Sequence, residues 1–168
     1  MNRPVAVLIA GPNGAGKTTF ARQIVPLLHP GVPFLNADEI QREDPRFATP
    51  SAAAREFLYR LDAAERSAHS FVIETTLSSR SFLPRFHRWA QLGFFTELHF
   101  IELPSADFAV QRVRERVAAG GHHIPETDIR RRFARGKQLL LEVYNLVPDA
   151  SYHWFSDNDG LRLLSKRP

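Results

Sequence analysis

Five stretches of the chain are apolar or rich in strand formers: Val5 to Ala10, Phe34 to Asn36, Ser70 to Glu74, Glu97 to Leu103 and Tyr152 to Phe155. Their length and their β-branched and aromatic content predict buried strands. Between them the apolar residues fall at helical spacing. Gly16 to Leu28 would bury Phe20, Ile24 and Leu27 before Pro30 and Gly31 stop it. A second helix from Ser51 to Ala68 would turn Phe57, Leu58, Leu61 and Ala64 inward. A third, capped by Ser79 or Ser81 and ending near Gly93, carries Phe82, Phe86 and Trp89. Ser105 caps a fourth with Val110, Val113 and Val117 on one face, ended by Gly120 and Gly121. Pro125 opens a fifth with Ile129, Phe133, Leu140 and Tyr144. Gln41 to Pro50 reads as a loop, and Leu161 to Leu164 as a short terminal element. Strand and helix signals alternate, so the expectation is a three-layer α/β fold with a mostly parallel sheet of about five strands. With no repeat or linker in sight, residues 1–168 are expected to form a single domain.

Composition narrows the picture only a little. A length of 168 residues, with 43% apolar and 24% charged, is that of a globular domain with a real core. The net charge of +4 suits anionic small molecules as well as nucleic acid and so decides little; a nucleic-acid partner is not expected. There is no cysteine, which excludes disulfides and thiolate metal sites. Six apolar residues before Gly11 are too few for a membrane span, so no membrane association and a cytoplasmic location are expected.

Chemistry is most concentrated in Gly11-Pro12-Asn13-Gly14-Ala15-Gly16-Lys17-Thr18-Thr19, set between the first strand and the first helix. The G-x-x-x-x-G-K-[ST] spacing lets backbone N–H groups turn toward phosphate oxygens at the positive end of a helix. Lys17 would reach the β- and γ-phosphates and the Thr18 hydroxyl would hold Mg²⁺, so the chain is expected to bind ATP or GTP in a P-loop kinase fold.

Carboxylates at strand ends supply the next candidates. Asp38 follows the second strand, where it would orient an acceptor hydroxyl and take its proton; the alternative is an aspartate that caps a helix or turn. Glu39 beside it is expected to point elsewhere. Glu74-Thr75-Thr76 ends the third strand, where the acid suits an Mg²⁺-bound water or a substrate hydroxyl, or an ion pair with Lys17 or an arginine. Glu102 is followed at once by Leu103-Pro104 and ranks lower. Two predicted helices flank Gly120-Gly121-His122-His123-Ile124-Pro125 and carry Arg112, Arg116, Arg131, Arg132 and Arg135, a lid-like segment over about 112–135. Such arginines either close over transferring phosphates or sit on a solvated helix face. The adjacent histidines point apart and have no evident third ligand, so no metal role is assigned to them.

Taken in order, GPNGAGKTTFA, FLNADEI, FVIETTLSS and VAAGGHHIPETDIRRRFARG resemble the zeta toxin family of P-loop kinases, from about Val5 to Leu141. The resemblance implies a kinase that phosphorylates a sugar hydroxyl of UDP-N-acetylglucosamine, acts as a toxin and has an antitoxin protein as partner. It implies phosphate contacts for Lys17, Mg²⁺ ligation by Thr18 and a general base in Asp38. It further implies a substrate element in Glu74 and Thr76, with Thr75 and Arg80 beside it, and lid arginines in Arg116 and one of Arg131 or Arg132. The well-known toxins carry additional helical parts, so a gluconate- or nucleoside-kinase-like metabolic enzyme is the alternative acceptor class. A nucleotide switch or nucleic-acid-binding module without phosphoryl transfer is the alternative outside the enzymes.

Overall fold

A computed structural model describes residues 3–168; the first two residues of the expected domain lie outside the described residues. The strands are β1 (Val5–Ala10), β2 (Phe34–Leu35), β3 (Phe71–Thr75), β4 (Phe95–Glu102), β5 (Ala150–Asp157) and β6 (Gly160–Arg167). The helices are α1 (Lys17–Gln23), α2 (Val25–Leu28), α3 (Ala37–Glu43), α4 (Pro50–Arg66), α5 (Leu83–Gln91), α6 (Ala106–Ala118) and α7 (Glu126–Glu142). One six-stranded sheet runs β2-β3-β1-β4-β5-β6, all parallel except the antiparallel β5–β6 hairpin. The fold is therefore α/β as expected, with six strands rather than about five. The terminal element is a full strand because Gly160 closes a turn after Asp157 and lets the chain return along β5.

Alternation along the central strands splits the core in two. Ala6, Leu8, Ala10, Ile73, Leu98 and Phe100 face Leu61, Phe86, Trp89, Leu139 and Leu140, the side covered by α4, α5 and α7. Val7, Ile9, Val72 and Ile101 face Phe20, Val110 and Val113, the side covered by α1 and α6. The buried Glu65 carboxylate ties α4 to α5 by accepting from Arg85 at 2.6 Å and from the Trp89 indole at 2.7 Å. β1 lies between β3 and β4, so the order of the sheet reverses at its carboxyl end. In open α/β sheets that point is a crevice where ligands bind.

Several local expectations need correction; neither Ser79 nor Ser81 caps α5, which starts after Phe82 with no side-chain cap, and Tyr144 lies just past the end of α7. The first helix stops at Ile24 and restarts at α2, since Pro26 has no N–H to continue the ladder; Leu27, expected inside, is 77% exposed. Thr49 rather than Ser51 caps α4, with Pro50 at the first helical position, and Leu58 is left 46% exposed. The first part of the loop expected from Gln41 to Pro50 belongs to helix α3, which Asn36 caps through the amides of Asp38 (2.8 Å) and Glu39 (3.2 Å).

Candidate functional site

The loop after β1 turns on Gly14 (φ +82°) and Gly16 (φ +84°), left-handed values that a side chain resists. Gly16 has no side chain to bond the first amides of α1, and they are left for a ligand. Half-buried Lys17 reaches back to the Pro12 carbonyl at 3.0 Å. The Thr18 hydroxyl crosses to β3 and donates to Glu74 Oε2 at 2.9 Å, so the residue after the lysine and the acid at the strand end share one spot.

The charge around Lys17 is unbalanced. Burial brings its pKa from 10.5 down to about 8; Glu74 opposes that, while Arg116 and Arg132 push the same way as burial. Two helices distant in sequence thus deliver cations to the loop. Arg116, on α6, is fixed by a 3.0 Å bond to the His122 carbonyl. Arg132, on α7, approaches Asn13 Oδ1 at 3.5 Å. Arg131 turns away to Asp128 at 2.7 Å and is 70% exposed. Of the two residues left open by sequence, Arg132 is the one brought to the loop.

On the other side of the crevice Asp38 sits in the first turn of α3, exposed. Its carboxylate has no hydrogen-bond or ion-pair partner among the described residues, and the helix-capping role belongs to Asn36 instead. Glu39 pairs with Arg22 at 2.6 Å and points elsewhere, as expected. After Glu74, the Thr75 hydroxyl accepts from Leu77 N at 3.1 Å and Thr76 bonds Ser78 at 2.9 Å. Exposed Arg80 makes no side-chain hydrogen bond among the described residues. Among the same residues no cluster of three or more metal-ligating side chains exists, and His122 and His123 are exposed. The hard oxygens of Thr18 and Glu74, beside a phosphate-type loop, nonetheless suit Mg²⁺, which takes few protein ligands and keeps water and phosphate oxygens for the rest.

Sequence reasoning missed how α7 is held. A Cβ on Gly136 would lie 2.8 Å from the Thr76 carbonyl, so only glycine lets the helix lie against the end of β3. One residue on, Lys137 pairs with Glu102 at 2.6 Å at the end of β4. A glycine inside a helical pattern, costing about 1 kcal/mol against alanine, was the available signal. Arg112, read as part of the lid, instead bonds Ser156 (3.2 Å) and the Asp157 carbonyl (2.7 Å) and lies over the Phe108 ring, tying α6 to the end of β5.

A family model described as Zeta toxin matches residues 1–153. The chain belongs to the zeta toxin family. Solved structures agree on the fold. This zeta toxin family member overlays a chain from the PezAT chromosomal toxin–antitoxin system of Streptococcus pneumoniae with a TM-score of 0.72, at 16% identity, over 98% of its own length and 72% of that chain. A chain of the AvrRxo1-ORF1:-ORF2 complex with ATP gives 0.72 at 17% identity, over 98% of this chain and 58% of that one. A gluconokinase from Sinorhizobium meliloti gives 0.56 at 16% identity, over 92% and 84%. At such identities the likeness is one of fold, here that of P-loop kinases. No helix among the described residues is long and apolar enough to cross a membrane.

Proposed function

We propose that this zeta toxin family member transfers the γ-phosphoryl group of ATP or GTP to a hydroxyl of a small acceptor, by family likeness UDP-N-acetylglucosamine or a related sugar nucleotide. The observation that carries the reading is the convergence of Lys17, Arg116 and Arg132 on one loop, where Glu74 is the acid that opposes the two arginines at Lys17. A surplus of positive charge of this kind attracts an anion to the loop. The Thr18 hydroxyl, and Glu74 behind it, would hold Mg²⁺, which would supply charge neutralisation at the phosphates. Lys17 and the loop amides hold the β- and γ-phosphates, and Arg116 and Arg132 stabilise the charge that spreads over the γ-phosphoryl oxygens during transfer. Asp38, its carboxylate uncommitted, accepts the proton of the acceptor hydroxyl. That oxygen bonds to the γ-phosphorus while the bond to the bridging oxygen breaks and the nucleoside diphosphate leaves. Thr75, Thr76 and Arg80 line the acceptor side. An antitoxin partner fits the toxin–antitoxin system to which the PezAT relative belongs, and dependence on a nucleoside triphosphate fits a cytoplasmic setting.

A second reading keeps the chemistry and changes the acceptor to a metabolic polyol or nucleoside; the likeness to gluconokinase over 84% of that chain favours it. The test is γ-labelled ATP with a pool containing UDP-N-acetylglucosamine, gluconate and nucleosides. Wild type should label one of them. Asp38→Asn should bind ATP nearly as well and lose about 10²–10⁴ in rate. Label on gluconate or a nucleoside selects the second reading. No transfer to any hydroxyl, with ATP bound normally, would falsify the kinase reading in favour of a nucleotide switch.

A further inference from the structure

Asp38 is exposed and its carboxylate has no partner among the described residues, so no contact of its own holds it in place. Its direction is left to the backbone in the first turn of α3. Two contacts fix that turn, and the chemistry proposed above uses neither.

The first comes from the sheet. Asn36 follows β2, is 6% exposed, and its Oδ1 accepts from the amides of Asp38 at 2.8 Å and Glu39 at 3.2 Å. One oxygen bonded to two successive amides fixes the rotation of that turn about the helix axis. The second contact comes from the donor side. Arg22, on α1, donates to Glu39 Oε1 from both Nε (2.9 Å) and Nη2 (2.6 Å). The Glu39 side chain is only 17% exposed, which shelters the carboxylate end of the pair.

Thr18 and Arg22 stand one turn apart on the same face of α1. That face looks along the sheet toward β3 and β2. Thr18 reaches Glu74 at the end of β3, and Arg22 reaches Glu39 just beyond β2. The helix that follows the phosphate-type loop therefore also grips the turn that carries Asp38. Successive helical positions point about 100° apart, so once Glu39 is drawn to α1 the direction of Asp38 is set as well.

We propose that Asn36 and the Arg22–Glu39 pair are positioning residues, a two-sided brace that holds Asp38 in register with the donor loop. The inference rests on the kinase reading with Asp38 as the base. The brace touches neither nucleotide nor acceptor and acts through Asp38, where a displacement of about 1 Å is enough to cost about 10² in rate. Caps and ion pairs of this kind elsewhere only stabilise a helix, and the two roles differ in what their loss changes.

The test follows transfer from γ-labelled ATP to UDP-N-acetylglucosamine, gluconate and nucleosides, well below the unfolding transition of each variant. Asn36→Ala should lower kcat at least about tenfold while the KM for ATP stays nearly unchanged. Asn36→Asp, whose carboxylate can accept from the same two amides, should recover most of that loss. Arg22→Glu and Glu39→Arg should each lower kcat, and the double reversal should restore most of it. Hydrogen exchange at the amides of Asp38 and Glu39 should speed up in Asn36→Ala and slow again in Asn36→Asp. Wild-type kcat in Asn36→Ala, or a double reversal no better than its single variants, would overturn the inference and leave the kinase reading intact. So would a loss of ATP affinity in step with kcat, since the contacts would then serve the loop. A wild-type protein that labels no acceptor overturns the kinase reading, and the inference falls with it.

Discussion

Replacing Lys17 by methionine should make the free protein more stable while removing its hold on nucleotide. Burial and two arginines bring the ammonium from 10.5 to about 8, so the folded chain holds that charge less well than the unfolded chain does. At about 1.36 kcal/mol per unit, a shift of this size corresponds to roughly 3 kcal/mol near neutral pH as a ceiling. Residual exposure screens part of it, and methionine forfeits the bond to Pro12 worth about 1 kcal/mol. A net gain of about 1–2 kcal/mol, or several degrees in Tm, is expected. The sign fixes the pH window. A lysine whose folded pKa is depressed costs stability while it is charged in the fold, and that cost fades as pH rises from about 8 toward 10.5. The assay is thermal unfolding of wild type and Lys17→Met without nucleotide at several pH values, with ATP affinity measured in parallel. The two Tm curves should lie apart near neutral pH and converge by about pH 10. A variant less stable than wild type at neutral pH, or a gap independent of pH, would refute the argument that burial and the two arginines make the Lys17 charge costly to the fold.

Three further outcomes follow from particular contacts. Arg132→Ala should lower phosphoryl transfer by about 10²–10³-fold, whereas Arg131→Ala, on the solvent side, should stay within about twofold; steady-state rates at saturating ATP distinguish them. Gly136→Ala drives a methyl group onto the Thr76 carbonyl and should cost about 1–3 kcal/mol, read as a lower denaturant midpoint. Burial alone would raise the pKa of Glu97, but hydrogen bonds from His99 and His29 outweigh it and hold it below 4.5. Its contribution to stability is therefore present above 4.5 and lost as pH falls through the lower folded value, so Glu97→Gln should flatten the acid limb of a Tm–pH curve.

The apolar pattern made the central strands legible, because parallel strands buried on both faces announce themselves as unbroken apolar runs. It showed β6 only as a short element from Leu161 to Leu164, because the strand is mixed apolar and basic and its burial is slight. The loop from Gly11 to Thr18 was readable because backbone geometry dictates its glycines and lysine by position. Choosing Arg132 over Arg131 was not possible from one chain. Neighbouring positions on a helix differ by about 100° in direction, and only the placement of α7 against Asn13 decides between them. Asn36 was passed over as the end of a strand, although the acids that follow it are the usual company of a helix start.

Helix α7 meets the ends of three strands: Arg132 at the loop after β1, Gly136 at the end of β3 and Lys137 at the end of β4. It is a stiff rod, so its motions at these points are not separable. Under the proposed chemistry, the arginine that serves the donor is mounted on the same beam that rests on the acceptor strand. Occupancy of one compartment then biases the geometry of the other, a thermodynamic coupling that runs equally in both directions. Under that same proposal, a shift of α7 at Gly136 on the acceptor strand would be felt at Arg132 beside the donor loop.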